Sequence, residues 1–434
     1  MIVQGAWRVA YRSVAWLVIV AFLTVSCASR SVSPIGAGGQ PFKPEADELR
    51  LWAQAEKEEE QLQKKAKPYD DPLLEEYLAK IGDKLTSDEV RAAGGPGFRF
   101  GVMRDPTLNA FAMPNGRIYI HTGLLSRLDN EAQLAMIVGH EMTHVTNRHA
   151  LSFTRDAQNK QILFTVLAIA ASIGVAVAAG SRAGSGDYIG GAVLSQTANV
   201  VLGLGLQLAA IAAINGYGRD LEREADAGGM ENLVRAGYDP KEAPKVFDLL
   251  RKESKDRGSL ETFFFGNHPR LTERVETTTE LVNSKYATAA AASDSVRNTE
   301  DLGLRVRTVV RENARLDIQA GRFKLAQEQL DRVLAITPKD PVAQLYYGDL
   351  YRLQSQRARD AGDKADKARK ALERYERSAE LDPAFPDPFR QLGFLYYQQK
   401  ETERAKAAFQ KYLALKPEAP DAPRIKEYLV EFDR

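Results

Sequence analysis

Hydrophobic and polar residues alternate along residues 117–121, which directly follow the dipeptide Asn115-Gly116. Asn-Gly is a strong turn signal because both residues tolerate positive φ angles, and a two-residue period is typical of a half-buried strand. The pattern predicts a hairpin around this turn. By itself it fits a plain structural hairpin and an edge to which an extended peptide adds as a further strand equally well.

Two apolar stretches occupy the middle of the chain, at residues 162–180 and 189–214, with a Gly/Ser-rich break between them. The first has about the length that crosses a bilayer. Alanine and glycine dominate it, however, and the second carries Gln196, Asn199 and Gln207. We therefore expect packed or membrane-touching helices in residues 162–214 rather than true spans, and spanning helices remain the alternative.

The pattern changes again near residue 302, where a helical repeat begins. Pro383 and Pro417 lie 34 residues apart, and a tetratricopeptide pattern fills the interval with Phe389, Leu392, Gly393, Tyr396, Ala405 and Phe409. The preceding unit fits if about 11 residues are inserted around 357–367, and a degenerate first unit is marked by Ala314, Ala326 and Pro338. We predict an α-solenoid over 302–434, whose concave face typically binds peptide segments, preceded by a linker at 285–301.

Composition is typical of a globular protein with more than one domain. The chain has 434 residues, of which 44% are hydrophobic, and its 59 Lys and Arg residues balance 58 Asp and Glu residues. Because there is no overall basic field, nucleic acid is not an expected partner.

The strongest chemical signal is the sequence His-Glu-Met-Thr-His at residues 140–144. Residues four apart lie on one face of a helix, so His140 and His144 can present two imidazole nitrogens to the same metal ion. Glu141, one step round the helix, is placed to take a proton from an attacking water. A catalytic zinc site needs a third protein ligand and an open position.

An acidic stretch further along the chain supplies candidates for that ligand. Glu222 and Asp226 are four residues apart and share a helix face. Glu222 is the candidate third ligand, and Asp226 is placed to accept a hydrogen bond from the outer nitrogen of a ligand histidine. Alone, this spacing is more typical of a solvated helix face.

Taken together, four motifs resemble the zinc metallopeptidase family that contains the HtpX heat-shock proteases and the CAAX prenyl endopeptidases. These are the His-Glu-x-x-His sequence, the Glu-x-x-Ala-Asp sequence, the stretch at 109–120 and the dipeptide His268-Pro269 with Arg274 six residues after the histidine. The motifs occur in the family order within residues 45–284. The resemblance implies a mainly α protein, with a zincin-like α+β metalloprotease domain and a small sheet ahead of the repeats.

The resemblance also implies roles for particular residues. His140, His144 and Glu222 would bind one zinc per chain. His268 would stabilise the oxyanion of the transition state, with Arg274 orienting it or sharing its charge. The stretch at 109–120 would contain the family's edge strand, which receives substrate as an added strand. The substrate-binding residues would be Asn109, Ala110, Phe111 and Ala112. His121 and His149 match no motif, and we expect them to be surface or core histidines.

The first residues predict the location of the protein. Arg8 and Arg12 precede an apolar stretch of signal-peptide length, and small residues surround Cys27, the one cysteine of the chain. Residues 24–27 resemble a bacterial lipobox, so we predict a lipoprotein-type signal peptide at 1–26 and lipidation of Cys27. A conventional secretory signal is the alternative. Residues 27–44, rich in Ser, Gly and Pro, are the predicted tether.

These expectations combine into one hypothesis. The chain would be a zinc endopeptidase of the bacterial periplasm, lipid-anchored to the outer membrane, that acts in quality control of unfolded or misassembled envelope and outer-membrane proteins. Its repeats would bind clients or the outer-membrane assembly machinery. The competing hypothesis is a chaperone or assembly scaffold with a latent or vestigial metalloprotease site.

Overall fold

A computed structural model describes residues 32–65, 68–158, 217–256 and 271–432 of the chain. Cys27 and the predicted signal peptide, the apolar segment 162–214 and His268 lie outside the described residues. Helices and strands are numbered below within the described part of the chain.

The N-terminal half contains helices on both sides of a small sheet. A 3-10 helix, Ala37–Gly39, comes first, and the elements that follow it are α1 (Ala46–Lys65), α2 (Pro72–Leu85), α3 (Asp88–Ala93), β1 (Arg99–Met103), β2 (Ala110–Ala112), β3 (Arg117–His121), α4 (Thr122–Leu125), α5 (Glu131–Thr146), α6 (Arg219–Arg235), α7 (Glu242–Asp256), α8 (Leu271–Asn283) and α9 (Ala287–Ala291).

The sheet has the order β1-β3-β2 and confirms the predicted hairpin. β2 pairs antiparallel with β3, and β1 pairs parallel with it. Gly116 has a φ of 84° at the turn, a left-handed conformation that glycine adopts without strain. β3 is more buried than a strand with one solvated face, because Tyr119 packs with Ala55 of α1. Helix α1 therefore covers the face that the alternation left to solvent.

The predicted tether is packed where the structure describes it. Ile35 is buried, and its N–H donates to the carbonyl of Thr146 at 2.7 Å. The N–H of Phe42 donates to the carbonyl of Ala93 at 2.8 Å, and Val32 packs against a small cluster of buried leucines. Residues 32–44 are thus attached to the N-terminal half, because a few apolar side chains among the Ser, Gly and Pro residues find buried sites.

The C-terminal half is helical throughout the described residues, with α10 (Thr299–Gln319), α11 (Phe323–Ile336), α12 (Pro341–Arg357), α13 (Ala361–Leu381), α14 (Pro386–Gln398), α15 (Thr402–Leu415) and α16 (Ala422–Phe432). Successive pairs pack as helical hairpins, which matches the predicted solenoid. Glycines permit close contact between the two helices of two hairpins. A Cβ at Gly348 would lie only 2.3 Å from the Tyr375 ring, and a Cβ at Gly393 would lie only 2.4 Å from the Phe409 ring. The inserted residues lengthen α12 and α13.

The two halves share a buried junction. Apolar residues of α10 belong to the same core as α2 and α5. In the described part of α10, Asp317 is fully buried and accepts hydrogen bonds from Arg127 at 3.3 Å and Gln329 at 2.6 Å. Asn313 donates to the hydroxyl of Ser126 at 3.1 Å. The first helix of the C-terminal half therefore completes the core of the N-terminal half.

The stretch 285–301 is not the free linker that we expected. It contains α9, and Val296 forms a β-bridge with Tyr238. The side chain of Asn298 donates to Glu131 at 2.8 Å, beside phenol hydroxyls that donate to the same carboxylate. Small and polar residues suggested a linker, but their backbone and side chains satisfy buried acceptors instead. The domain boundaries themselves remain predictions.

Among the helices that the structure describes, none combines the length and the apolar character that a membrane span requires.

Candidate active site

Helix α5 is the centre of the candidate site and carries His140, Glu141 and His144. The side chain of Asn130 caps its start by accepting a hydrogen bond from the N–H of Gln133 at 3.0 Å. The helix is buried along almost its whole length, and the three site residues are at most 3% exposed. Buried imidazoles and carboxylates require partners, so this helix must meet polar groups from elsewhere in the chain.

Helix α6 brings those groups, because glycines let it cross close to α5. A Cβ at Gly229 would lie 2.9 Å from the His140 backbone nitrogen, and one at Gly228 would lie 2.5 Å from a Thr143 side-chain carbon. Gly139 lies opposite on α5, where a Cβ would be 3.3 Å from the backbone of Gly229. A larger residue at this crossing would push the carboxylates of α6 away from the histidines.

The crossing assembles the three predicted ligands. His140 Nε2 lies 3.1 Å from His144 Nε2 and 3.4 Å from Glu222 Oε2. His144 Nε2 lies 3.6 Å from Glu222 Oε1. In a tetrahedral zinc site with bonds of about 2.0–2.2 Å, neighbouring ligand atoms are about 3.3–3.6 Å apart. The spacing and the donor set therefore fit one zinc ion, and these are the residues that could hold it.

Behind His140, the outer side of the site is formed by Asp226 and Arg274. Asp226 Oδ1 lies 2.9 Å from His140 Nδ1 and accepts a hydrogen bond from Arg274 Nη2 at 2.5 Å. Arg274 Nε donates to Asp226 Oδ2 at 2.9 Å, and the guanidinium stacks 4.0 Å from the Phe247 ring centroid. A carboxylate in this position fixes the tautomer of a ligand histidine and leaves Nε2 for the metal.

This arrangement differs from the expected position of Arg274. The family resemblance implied a group near the reacting carbonyl, beside His268. In the structure the guanidinium points instead to Asp226 and to the outer nitrogen of His140. A buried guanidinium next to a buried carboxylate forms strong, charge-assisted hydrogen bonds, so Arg274 pairs with Asp226.

The pKa shifts follow from burial and these contacts. Burial and the Arg274 charge act to lower the pKa of His140, but hydrogen bonds to Asp226 and Glu222 outweigh them and raise it to about 9. Burial acts to raise the pKa of Asp226, but Arg274 and His140 hold it below its usual value. The carboxylates thus favour positive charge at the position where the three ligand atoms meet.

The structure also places two residues at the site that the sequence motifs did not indicate. His149 is 1% exposed, and its Nδ1 lies 2.8 Å from His144 Nδ1. Tyr217 stacks on the His144 ring, with centroids 4.6 Å apart, and its N–H donates to Glu222 Oε1 at 3.2 Å. Burial, together with the charges of Glu141 and Glu222, raises the pKa of Tyr217, so its phenol stays neutral.

Strand β2 forms an edge of the described sheet. The N–H of His121 donates to Asn109 O, and that of Met113 donates to Arg117 O, so residues 109, 111 and 113 bond towards β3. By the alternation of antiparallel pairs, the N–H and C=O groups of Ala110 and Ala112 point to the outer edge. Both alanines are buried, and Phe111 packs on the α1 side with Tyr119. Substrate binding by these residues stays a prediction.

A shallow cleft lies between the end of the hairpin, His144 and helix α1. Its walls are mainly apolar, and they are formed by Leu51, Trp52, Ala112, Met113, Pro114, Val145, Ala150, Leu151 and Tyr217, with Glu48 and Arg148 as charged residues. The cleft borders both the end of strand β2, at Ala112, and the ring of His144.

Two helices, three converging ligand atoms and an adjacent glutamate beside a small sheet define the zincin-like class of metallopeptidase. Residues 72–282 match Peptidase family M48, and residues 364–429 match a tetratricopeptide repeat family. The chain therefore carries an M48 peptidase domain followed by tetratricopeptide repeats, as the sequence motifs implied.

Named relatives agree with this class. The chain is 33% identical over 185 residues to a putative beta-barrel assembly-enhancing protease of Vibrio cholerae, covering 42% of this chain and 34% of the relative. It is 31% identical over 195 residues to the beta-barrel assembly-enhancing protease of Escherichia coli, covering 45% and 36%. A mitochondrial metalloendopeptidase of Arabidopsis thaliana is 30% identical over 155 residues, covering 36% and 26%. The matched stretch thus spans about a third of the bacterial relatives' length.

Among solved structures, a thermophilic tetratricopeptide protein of Thermus thermophilus matches 35% of this chain and 78% of its own, at 21% identity and a TM-score of 0.26.

Proposed function

We propose that this chain is a zinc-dependent endopeptidase of the bacterial cell envelope that cleaves unfolded or misassembled envelope and outer-membrane proteins. The observation that carries the proposal is the convergence of His140, His144 and Glu222 within 4.8 Å, next to Glu141 on the same helix. The M48 domain and the names of the bacterial relatives support the peptidase activity and the envelope role.

Each site residue has a chemical task in this proposal. His140 Nε2, His144 Nε2 and a Glu222 oxygen hold the ion, one per chain. Bound zinc would supply Lewis-acid polarisation and a more acidic water. Glu141 accepts the proton of the attacking water and delivers it to the leaving amine. Asp226 and Arg274 keep the His140 ring in place.

Two further groups belong to the proposal through the family resemblance. His268, outside the described residues, would donate to the developing oxyanion. A substrate in extended conformation would pair with the outward N–H and C=O groups of Ala110 and Ala112. Main-chain pairing recognises any extended segment, which suits an enzyme that acts on unfolded chains.

The repeats are proposed to bind clients or the outer-membrane assembly machinery. Their first helix, α10, is built into the peptidase core through Asp317 and Asn313. A client held on the repeats would therefore stay at a fixed distance from the zinc site, which raises its local concentration there.

The proposed location is the periplasm. A lipid on Cys27 would anchor the chain to the outer membrane.

Metabolic labelling with a radioactive fatty acid checks the proposed lipid on Cys27 directly. We expect label on the wild-type chain and none on Cys27→Ser, because that thiol is the one cysteine of the sequence. An unlabelled wild type would remove the anchor from the proposal.

A second candidate function is a chaperone or assembly scaffold with a latent site. The observation that favours it is the burial of Ala110 and Ala112, whose outward backbone groups an incoming peptide would need. Such a protein would bind unfolded clients through its repeats and cleave little until the edge of β2 opened.

The decisive measurement combines elemental analysis with hydrolysis of an unfolded protein. We expect one zinc per purified chain, cleavage of casein, loss of cleavage with a chelator and recovery when zinc is added. Zinc without any cleavage would favour the scaffold. A purified chain that neither contains nor takes up zinc would end the peptidase proposal.

A further inference from the structure

Resting on the zinc site proposed above, we infer that His149 is a positioning residue for the ligand His144. Its ring accepts a hydrogen bond from His144 Nδ1 and so directs His144 Nε2 towards the metal. Asp226 performs the corresponding task for His140. The two ligand histidines would then have different outer acceptors, a carboxylate for one and a neutral imidazole for the other.

His149 reaches this position through a fixed reversal of the chain. Helix α5 ends at Thr146, and Arg148 then adopts the left-handed conformation with a φ of 57°. Glu48 holds that conformation, because it accepts hydrogen bonds from Arg148 Nε at 2.9 Å and Nη2 at 2.6 Å. The reversal returns His149 to the end of the helix, five residues after His144.

Hydrogen-bond accounting assigns the protons. The two Nδ1 atoms are 2.8 Å apart, a distance at which one of them must carry a hydrogen and the other must accept it. His144 Nε2 faces Glu222 Oε1 and His140 Nε2, so as a ligand it carries no hydrogen, and the proton of that ring sits on Nδ1. His149 Nδ1 is then the acceptor.

The other nitrogen of His149 continues the chain of contacts. His149 Nε2 carries the hydrogen in this tautomer and lies 3.6 Å from Glu224 Oε2. The second oxygen of Glu224 accepts a hydrogen bond from the Asn147 side chain at 2.7 Å. A partly exposed carboxylate on α6 thus lies on the side where His149 needs an acceptor.

Packing keeps both rings in these orientations. Tyr217 stacks on His144 and meets the His149 ring edge-on, with centroids 5.9 Å apart and planes 70° apart. The His144 and His149 rings are also nearly perpendicular, at 77°. His149 is fully enclosed, so rotation of its ring away from His144 would require a neighbour to move.

The test measures zinc affinity of the full chain by competition with a chromophoric chelator. We expect His149→Ala to weaken zinc binding about 10- to 100-fold, the usual effect of removing an outer partner of a ligand. His149→Asn places an amide oxygen where Nδ1 stood, and we expect its affinity within a few-fold of the wild type. His121→Ala is the matched control: it removes another buried histidine, bonded to Thr107, and should leave zinc affinity unchanged.

A second readout distinguishes positioning from packing. With cobalt(II) in place of zinc, the visible absorption bands should shift in His149→Ala and return in His149→Asn, because the bands report how the ligands surround the ion. Wild-type affinity and bands in His149→Ala would overturn the inference, as would an Asn variant as weak as the Ala variant. A wild-type chain that binds no zinc would overturn the proposed function instead.

Discussion

Replacing Glu141 by glutamine is expected to slow peptide hydrolysis about 10²- to 10⁴-fold, the range that a general base contributes. The amide keeps the size of the carboxylate but cannot accept a proton. Glu141 is buried on α5 beside the ligand cluster, so a change of similar shape should leave the helix and the ligands in place. We expect one zinc per chain in this variant, by elemental analysis, together with a fall in kcat rather than a rise in KM.

Glu231→Gln supplies the matched control for that experiment. Glu231 lies on α6, is 63% exposed and pairs with the exposed Lys285, so its loss should change neither zinc content nor rate. Wild-type cleavage of casein by Glu141→Gln would refute the assignment of the base. Loss of zinc from that variant would mean that Glu141 has a structural task as well.

Removing Arg274 is expected to destabilise the folded chain by about 3–5 kcal/mol, the usual cost of breaking a buried ion pair. Arg274→Ala leaves the carboxylate of Asp226 buried without its cation, since both residues are at most 4% exposed. Asp226 would then hold His140 less firmly, and zinc binding should weaken as well. Urea unfolding of the metal-free chain measures the first effect, and chelator competition measures the second.

Two comparisons separate stability from metal positioning. Arg127→Ala breaks another buried pair, with Asp317 at the junction, so it should cost stability without changing zinc affinity. The double variant Asp226→Asn with Arg274→Leu removes both charges. It should regain much of the stability while zinc binding stays weak. An Arg274→Ala chain with wild-type stability and zinc affinity, but a reduced kcat, would contradict the positioning role. It would favour a role for Arg274 beside the reacting carbonyl instead.

Local features of this protein follow from its sequence with little ambiguity. The spacing of His140 and His144 places both rings on one face of a helix whatever the rest of the chain does, because the helical period is a property of the backbone. The turn at Asn115-Gly116 and the 34-residue period of the repeats are local in the same sense. The hairpin, the ligand helix and the solenoid were predictable for that reason.

Other features depend on how distant segments meet, and the tertiary structure alone decided them. No periodicity relates His149 to the site, because it lies beyond the end of α5 and returns through the left-handed Arg148. Arg274 fitted a motif, yet its direction was set by the buried carboxylate of Asp226, 48 residues away. The stretch 285–301 has the small and polar residues that are typical of a linker, but in the structure its Asn298 donates a hydrogen bond to Glu131 on α5. Side-chain pairing in a core is selected by burial and by the need to satisfy each polar group, and both depend on the path of the whole chain.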